Sequence, residues 1–291
     1  QKRQRNDYAK IQDVLMKNLR IIDQAVQNKG QVIGLPTGFK QLDEKTSGLQ
    51  PSDLIIVAAR PGMGKTAFAL NIAQQSAVKA GASVLIFSLE MSQEQLGQRL
   101  IAMQARVESE KLKKGTLDLK DWDRINFALN ELNNTKIVID DTPGISIMEM
   151  RNKCRRLKAE QGLDLIVVDY LQLMTFDGRA DSRQQEISAL SRHLKLLARE
   201  MNCPVIVLSQ LSRAPELRQD KRPMLSDLRE SGSIEQDADI VMFLYRDDYY
   251  NENTEKPGVC EINIAKHRSG PTDRIDLTWV ARYTKFSDKA L

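Results

Sequence analysis

The stretch LIIVAARPGMGKTAFALNIAQQ, residues 54–75, decides the fold of this chain. Its apolar start predicts a buried strand over 54–58, and its second half has the apolar content of a packed helix over 66–79. Between them, glycines allow successive backbone N–H groups to point at phosphate oxygens, and the helix start adds positive potential. The order of strand, glycine-rich turn and helix therefore predicts a phosphate-binding loop.

The residues of this loop predict an ATP site that requires Mg²⁺. Lys65 is expected to bridge the β and γ phosphates, and the Thr66 hydroxyl is expected to ligate the metal ion. Ala59 stands where the usual GxxxxGK[ST] pattern has its first glycine, which is tolerated if the backbone there keeps an allowed conformation. The predicted nucleotide contacts are Arg60, Pro61, Gly62, Met63, Gly64, Lys65, Thr66 and Ala67.

Short apolar runs alternate with longer amphipathic ones from Asp53 onward, which is typical of strand–helix–strand units in a parallel sheet. Strands are predicted over 54–58, 84–89, 136–139, 165–169 and 205–209, and helices over 66–79, 93–105, 121–132, 147–161 and 184–200. Further strand-like runs, 240–245, 260–265 and 275–280, have no helices between them. The predicted fold is α/β, a mainly parallel sheet flanked by helices with an antiparallel C-terminal extension.

Three polar side chains are predicted at the carboxyl edge of this sheet, where ligands bind. Asp169 ends the apolar run DLIVVD and is expected to reach the Mg²⁺ shell. Glu90 closes the run VLIFSL and is expected to orient water or to act as the general base, and Gln210 is expected to sense the γ phosphate. Taken singly, these residues also fit a capping aspartate, a surface glutamate near a helix start and a turn glutamine.

Residues 7 to about 28 predict an amphipathic helix. Apolar side chains recur at a spacing of three to four residues at Tyr8, Ile11, Leu15, Leu19, Ile22 and Val26. The loop NKGQVIGLPTGFKQLD separates this helix from the rest, which predicts a linker helix over 1–30 and a motor domain over 31–291. The apolar face can dock onto its own domain or onto a neighbouring subunit, and the pattern favours neither.

Composition excludes several classes of protein. With 41% hydrophobic and 28% charged residues, and no apolar run of about 20 residues, the chain reads as globular with no membrane partner. Cys154, Cys203 and Cys260 lie far apart and have no spacing that would bind zinc. We expect the protein to work in a reducing cytoplasm. The net charge of +4 does not indicate a nucleic-acid partner by itself. Because it begins with Gln1 and lacks an apolar leader, we expect a fragment of a longer protein.

The chain resembles the RecA-type motor domain of DnaB-type hexameric replicative DNA helicases over essentially its whole length. The stretches that carry this resemblance are GLPTGFKQLD, ARPGMGKTAFALNIA, FSLEMS, IDDTP, IVVDYLQLM, SQLSR, DLRESGSIEQDADIV and AKHRSGP. The resemblance implies a RecA-like core in a ring of six copies, with ATP between neighbours and single-stranded DNA in the centre. It further implies primase and a helicase loader as partners, a bacterial or phage-infected cytoplasm, and the removal of an N-terminal domain.

The resemblance also implies roles for residues that their local pattern leaves open. Arg268 resembles the arginine finger that reaches a neighbour's nucleotide, with Lys266 as its companion, whereas KHRSGP alone reads as a basic hairpin turn. Arg229, Glu230 and Gly232 correspond to DNA-contacting positions, whereas residues 212–239 alone read as a solvated charged loop. The leading helix corresponds to one that packs on the adjacent subunit.

The predicted function is that of a replicative DNA helicase motor, in which ATP hydrolysis at subunit interfaces drives translocation and unwinding. Two other classes share parts of this pattern. A recombinase has the same type of ATPase core, and strand exchange rather than unwinding would identify it. A nucleotide-gated adaptor or loader would bind ATP and a partner without multiple turnovers.

Overall fold

A computed structural model describes residues 9–27, 32–176, 178 and 180–289. The helices are α1 (Ile11–Gln27), α2 (Lys40–Thr46), α3 (Lys65–Ala80), α4 (Gln93–Ala105), α5 (Ser109–Lys114), α6 (Leu119–Asn133), α7 (Ile147–Gln161), α8 (Arg183–Met201) and α9 (Gly232–Asp237). The strands are β1 (Leu54–Ala59), β2 (Ser83–Ser88), β3 (Lys136–Asp140), β4 (Leu165–Asp169), β5 (Val205–Gln210), β6 (Ile240–Tyr245), β7 (Val259–His267), β8 (Asp273–Val280) and β9 (Lys285–Asp288).

All nine of these strands form one sheet in the order β3-β2-β4-β5-β1-β6-β7-β8-β9. The six strands from β3 to β6 are parallel, and β7, β8 and β9 continue the sheet in antiparallel pairing. The α/β fold with an antiparallel C-terminal extension is therefore confirmed. The extension begins one strand later than the sequence suggested, because β6 pairs in parallel with β1.

Apolar layers cover both faces of the sheet. Side chains alternate between the faces along a strand, so Ile55 and Val57 join the core on one side while Leu54 and Ile56 join the core on the other. Helix α3 packs on the first side and α8 on the second. Burial on both faces explains why the parallel strands read as continuous apolar runs instead of alternating ones.

The segment after β5, predicted as a charged and irregular stretch up to about Asp239, contains short helices. Two 3₁₀ helices span Ala214–Leu217 and Leu225–Ser231, and α9 follows directly. The elements α2, α5, α9 and β9 were not predicted. Each has seven residues or fewer, which is too short for a clear apolar period.

The N-terminal helix α1 belongs to a unit distinct from the rest, because residues 1–33 and 34–291 separate into two compact units. The apolar side chains of Ile11, Leu15, Leu19, Ile22 and Val26 are exposed. Tyr8, the first residue of the predicted stripe, lies outside the described residues. None of the described helices combines the length and apolar character that crossing a membrane requires.

Candidate active site

The phosphate-binding loop leaves β1 at the carboxyl edge of the sheet and enters α3 at Lys65. Gly62 and Gly64 have φ values of +80° and +94°, a region that favours glycine. A Cβ atom at Gly62 would lie 2.9 Å from the ring of Tyr249, and one at Gly64 would lie 3.1 Å from the ring of Phe286. Ala59 is the buried last residue of β1, so the missing first glycine does not disturb the loop.

The ammonium group of Lys65 is buried, and a bound phosphate would replace the water that burial removes from it. Its Nζ atom lies 4.5 Å from the ring centroid of Tyr170. Burial lowers the pKa of Lys65 because it removes water from the ammonium group, and the carboxylates of Asp169 and Glu90 partly offset this effect. A desolvated ammonium beside glycine amides favours an anionic ligand.

Asp169 and Thr66 together fit a magnesium site. The Thr66 hydroxyl donates a 2.7 Å hydrogen bond to Oδ2 of Asp169, which is the last residue of β4. The other oxygen, Oδ1, is buried and has no hydrogen-bond partner among the described residues. Burial raises the pKa of this carboxyl, and the Thr66 hydrogen bond and Lys65 oppose the increase. A divalent cation bound to Oδ1 would satisfy the orphaned oxygen and stabilise the charged form.

Glu90 and Gln210 lie at the same edge as the loop, as the sequence predicted. Ser88 pairs with Asp169, which places Glu90 two residues beyond the end of β2 and on the same side as the acidic strand end. Gln210 is the exposed last residue of β5. Both side chains line a cavity of about 300 Å³ together with the loop. The structure thus brings Lys65, Thr66, Glu90, Asp169 and Gln210 together.

Three residues that the sequence did not indicate also line this cavity: Arg99, Trp279 and Thr284. Burial lowers the pKa of Arg99, and Asp169 and Glu90 partly offset this, so the guanidinium lies in the field of the site's carboxylates. Arg99 comes from α4, whereas Trp279 and Thr284 come from the C-terminal end of the sheet. The sequence predicted the elements that contain Arg99 and Trp279, but those patterns do not single out a side chain, and no predicted element contained Thr284.

Arg60 lines the cavity and also anchors the segment after β5. Its Nε atom donates to Glu216 at 2.9 Å, and one terminal nitrogen donates to the carbonyl of Leu211 at 2.8 Å. The side chain of Arg60 therefore links the phosphate-binding loop to the segment that follows Gln210. Movement in that segment would reach the loop through these contacts.

Lys266 and Arg268 do not join the other site residues of their own chain. They lie at the end of β7, where His267 pairs with Ile240, the first residue of β6. This is the amino edge of the parallel strands, whereas the phosphate loop leaves the carboxyl end of β1, a strand of six residues that spans about 20 Å. Arg268 therefore cannot reach a phosphate bound in its own loop.

Contacts with α9 hold these two cations in place. The ammonium of Lys266 donates to the carbonyls of Glu235 and Ala238, the latter at 2.7 Å. The guanidinium of Arg268 donates to the carbonyl of Gln236 and lies 3.5 Å from a carboxylate oxygen of Asp239. The C-terminal end of α9 thus fixes the position of the basic hairpin.

The predicted DNA-contacting residues lie just before this point. Arg229 and Glu230 belong to the 3₁₀ helix Leu225–Ser231, and Gly232 is the first residue of α9. The side chains of Arg229 and Glu230 lie outside the described part of the chain, and the structure describes the backbone at these positions.

Two basic residues of the same segment are already paired. Arg218 binds both carboxylate oxygens of Asp227 at 2.7 Å, and Arg222 binds both oxygens of Glu261 at 2.8 Å. Such two-point pairs have fixed geometry, and here they tie the segment to itself and to β7. Arg218 and Arg222 therefore stabilise this segment instead of offering free charge to a phosphate backbone.

The glycine-rich loop between β1 and α3, with the acidic end of β4 beside Thr66, defines a P-loop nucleotide-binding domain. Residues 34–288 match the family described as the DnaB-like helicase C terminal domain. The chain is 54% identical over 287 residues to the replicative DNA helicase DnaC of Bacillus subtilis. It is 53% identical over 287 residues to the replicative DNA helicase DnaB of Geobacillus stearothermophilus. Both matches cover 98% of this chain.

Solved structures agree with these matches. The chain superposes on a solved ATPase domain with a TM-score of 0.93 and 41% identity, and this match covers 98% of this chain and 100% of the other. It superposes on a DnaB-like replicative helicase, solved in a study of its interactions with primase, with a TM-score of 0.89 and 41% identity. That match covers 98% of this chain and 68% of the other.

The chain belongs to the DnaB-like helicase C-terminal domain family, and its fold is that of the family's RecA-like ATPase domain. It spans 63% of the length of the two curated relatives described above.

Proposed function

We propose that this chain is the motor domain of a replicative DNA helicase, in which ATP hydrolysis at subunit interfaces drives translocation on single-stranded DNA and unwinding of the duplex. The observation that carries the proposal is that Lys65, Thr66 and Glu90 line one cavity at the carboxyl edge of the sheet, with Asp169 hydrogen-bonded to Thr66. Membership of the helicase family supports the choice of ATP as nucleotide and DNA as track.

The residues at this edge fit ATP with Mg²⁺. The loop amides and Lys65 would hold the phosphates, while Thr66 and Oδ1 of Asp169 would hold the metal ion. When bound, Mg²⁺ neutralises charge on the β and γ phosphates. Glu90 would orient the attacking water and accept its proton, and Gln210 would contact the γ phosphate.

Arg268 and Lys266 act in the nucleotide site of a neighbouring copy. Their position at the amino edge, far from their own loop, supports this role. A guanidinium delivered from another subunit stabilises the charge that spreads over the γ phosphate oxygens in the transition state. The assembly in which every loop meets a neighbour's Arg268 is a closed ring, and we propose a homohexamer.

Loss of the γ phosphate would move the segment that follows Gln210, which contains the proposed DNA contacts at Arg229, Glu230 and Gly232. Its residues between 212 and 239 include no aromatic side chain, so base stacking is not its mode of contact. Contact with the DNA backbone alone suits a motor that moves over any sequence.

The proposed linker helix over 1–30 would dock its exposed apolar face on an adjacent copy, outside the motor domain over 31–291. In that copy, α6 offers Leu119, Trp122 and Phe127, whose side chains are 84%, 51% and 66% exposed. Burying two such faces against each other removes apolar surface from water and links the subunits. Primase and a helicase loader are further proposed partners, with a cytoplasmic site of action.

ATPase activity with and without single-stranded DNA tests this function. We expect DNA-stimulated multiple turnover, duplex unwinding, and a hexameric mass with a non-hydrolysable ATP analogue. Lys65→Ala should abolish turnover, whereas Lys79→Ala, on the exposed last turn of the same helix, should not. Strand exchange without unwinding would identify a recombinase instead, and nucleotide binding without multiple turnover would identify an adaptor.

A further inference from the structure

Strand β5 extends beyond one of its two neighbours. On the β1 side its pairing continues to the last residue, where Ala59 lies opposite Gln210. On the β4 side the pairing stops at Val207, which lies opposite Val168. Among the described residues, the last residues of β5, which include the proposed γ-phosphate sensor Gln210, are paired with no residue of β4. Strand β4 ends at the proposed metal ligand Asp169 and is called the metal-binding strand below.

The side-chain amide of Gln172 takes the place of that missing partner. Its Oε1 atom accepts from the main-chain N–H of Gln210 at 3.3 Å. Its Nε2 atom donates to the carbonyl of Gln210 at 3.2 Å and to the hydroxyl of buried Ser209 at 3.0 Å. Both N–H groups of the amide and its oxygen are thereby used, and all three bonds end on two consecutive residues of β5.

Gln172 is itself fixed to the metal-binding strand. It lies three residues after Asp169, in the 3₁₀ helix Leu171–Leu173, whose first residue is fully buried in the core. Its carbonyl accepts a 2.6 Å hydrogen bond from Arg183, the first residue of α8. The amide that holds Gln210 thus extends from a backbone that is anchored on two sides.

A cavity of about 250 Å³ adjoins this contact. Gln172 and Gln210 line it together with Leu211, Ser212, Asp227 and Leu228, which belong to the segment after β5. The amide contact therefore lies between the metal-binding strand and the segment that the sensor is proposed to move.

We propose that Gln172 is a positioning residue, which holds the main chain of Gln210 in register with Asp169 so that the Gln210 side chain meets the γ phosphate. Without the amide, the strand end keeps only its bonds to β1 and can shift relative to the metal-binding strand. The inference rests on the proposed sensor role of Gln210. It assigns Gln172 no contact with nucleotide or DNA.

Steady-state ATPase kinetics of the full chain with single-stranded DNA test this role. Gln172→Met keeps the length of the side chain but removes all three hydrogen bonds. We expect kcat to fall by about tenfold or more while KM for ATP stays within about twofold, because the phosphate loop is untouched. Gln172→Glu still accepts from Gln210 N–H but cannot donate to its carbonyl, so its kcat should lie between those of Gln172→Met and the unaltered protein.

Gln161→Met is the matched control. Gln161 donates a single 3.2 Å bond to the hydroxyl of Ser83 at the amino end of β2, away from the nucleotide edge. It should leave both kinetic constants unchanged. The double variant Gln172→Met with Gln210→Ala should be no slower than Gln210→Ala alone, because residues that act as a unit are not additive.

Each other outcome overturns the inference in a recognisable way. If kcat is low for Gln210→Ala but unchanged for Gln172→Met and Gln172→Glu, the positioning role fails and the sensor role stands. If Gln210→Ala itself turns over normally, the sensor role of the proposed function fails and the inference falls with it. A parallel rise in KM, additive losses in the double variant or an equal loss in Gln161→Met would show a general disturbance of the sheet.

Discussion

At the scale of single residues, Asp169 is subject to opposing demands from binding and from stability. One of its oxygens is buried without a partner, and burial raises the pKa of the carboxyl. A carboxyl with a raised pKa binds its proton more tightly in the folded state, so its charged form at neutral pH destabilises the protein without metal. The orphaned oxygen is the atom that the metal ion would use.

The change Asp169→Asn should separate these two effects. We expect kcat for ATP to fall by about a hundredfold or more, because the metal ion loses its charged ligand. The melting temperature without nucleotide and metal should rise at neutral pH, because the desolvated charge is gone. Differential scanning calorimetry measures the melting temperature, and phosphate release measures kcat. A variant that is less stable and equally active would contradict this account of Asp169.

Asp53, at the opposite edge of the sheet, should make stability depend on pH. Burial, with a smaller contribution from Asp239, raises the pKa of Asp53 to about 6, while Lys195 and Arg268 act against the increase. The folded protein therefore takes up a proton between its ordinary pKa of 3.8 and about 6, and this part of the stability is lost as pH rises through that window.

Asp53→Asn should accordingly stabilise the protein at about pH 8 by about 1 kcal/mol, a value discounted because the side chain is only half-buried. The gain should shrink toward about pH 5. Urea unfolding at both pH values measures it. A gain that is the same at both values would exclude the titration of Asp53 as its cause.

The site residues that could be predicted are those that belong to a recognisable local sequence pattern. Gly62, Gly64, Lys65 and Thr66 act through one turn, and Asp169 marks the end of an apolar run. Arg99, Trp279 and Thr284 could not be predicted, because they reach the cavity from α4 and from the C-terminal end of the sheet. These three residues are far from the phosphate loop in sequence, and only the tertiary fold brings them to the cavity.

At the scale of secondary-structure elements, long periodic segments were predictable and short ones were not. The buried strands β1, β2, β4 and β5 contain enough apolar residues to be recognised, and α8 shows a clear apolar stripe. The helix α9 has six residues, yet its last carbonyls hold Lys266 and Arg268. Its importance comes from tertiary contacts that no local pattern displays.

The helix α1 should contribute to assembly through its apolar face. Leu19 lies on this face and is 59% exposed, and Leu19→Asp should weaken a hexamer because a charge would have to be buried. Arg20→Asp is the control, because the adjacent residue is turned by about 100° around the helix, away from the stripe. Native mass spectrometry with a non-hydrolysable ATP analogue measures the assembly. Equal hexamer formation by Leu19→Asp and the unaltered chain would contradict this role.

At the scale of the whole molecule, the sheet separates two groups of proposed catalytic residues. The phosphate loop, Asp169, Glu90 and Gln210 lie at the carboxyl edge of the parallel strands, whereas Lys266 and Arg268 lie at the amino edge. Under the proposed roles of Lys266 and Arg268, turnover should require that the carboxyl edge of one copy meets the basic hairpin of another. The sequence predicted both groups, but only the register of β6 and β7 shows how far apart they are.

A mixing experiment tests this central claim most directly. Lys65→Ala removes the phosphate-binding ammonium but keeps Arg268, whereas Arg268→Ala keeps the loop but removes the cation. Each variant alone should bind DNA without turning over ATP, and Arg268→Ala should still bind the nucleotide. When native mass spectrometry shows that mixed assemblies have formed, ATP hydrolysis should return at the interfaces where an intact loop meets an intact Arg268. Mixed assemblies that stay inactive, or an Arg268→Ala variant that hydrolyses ATP normally alone, would contradict the claim.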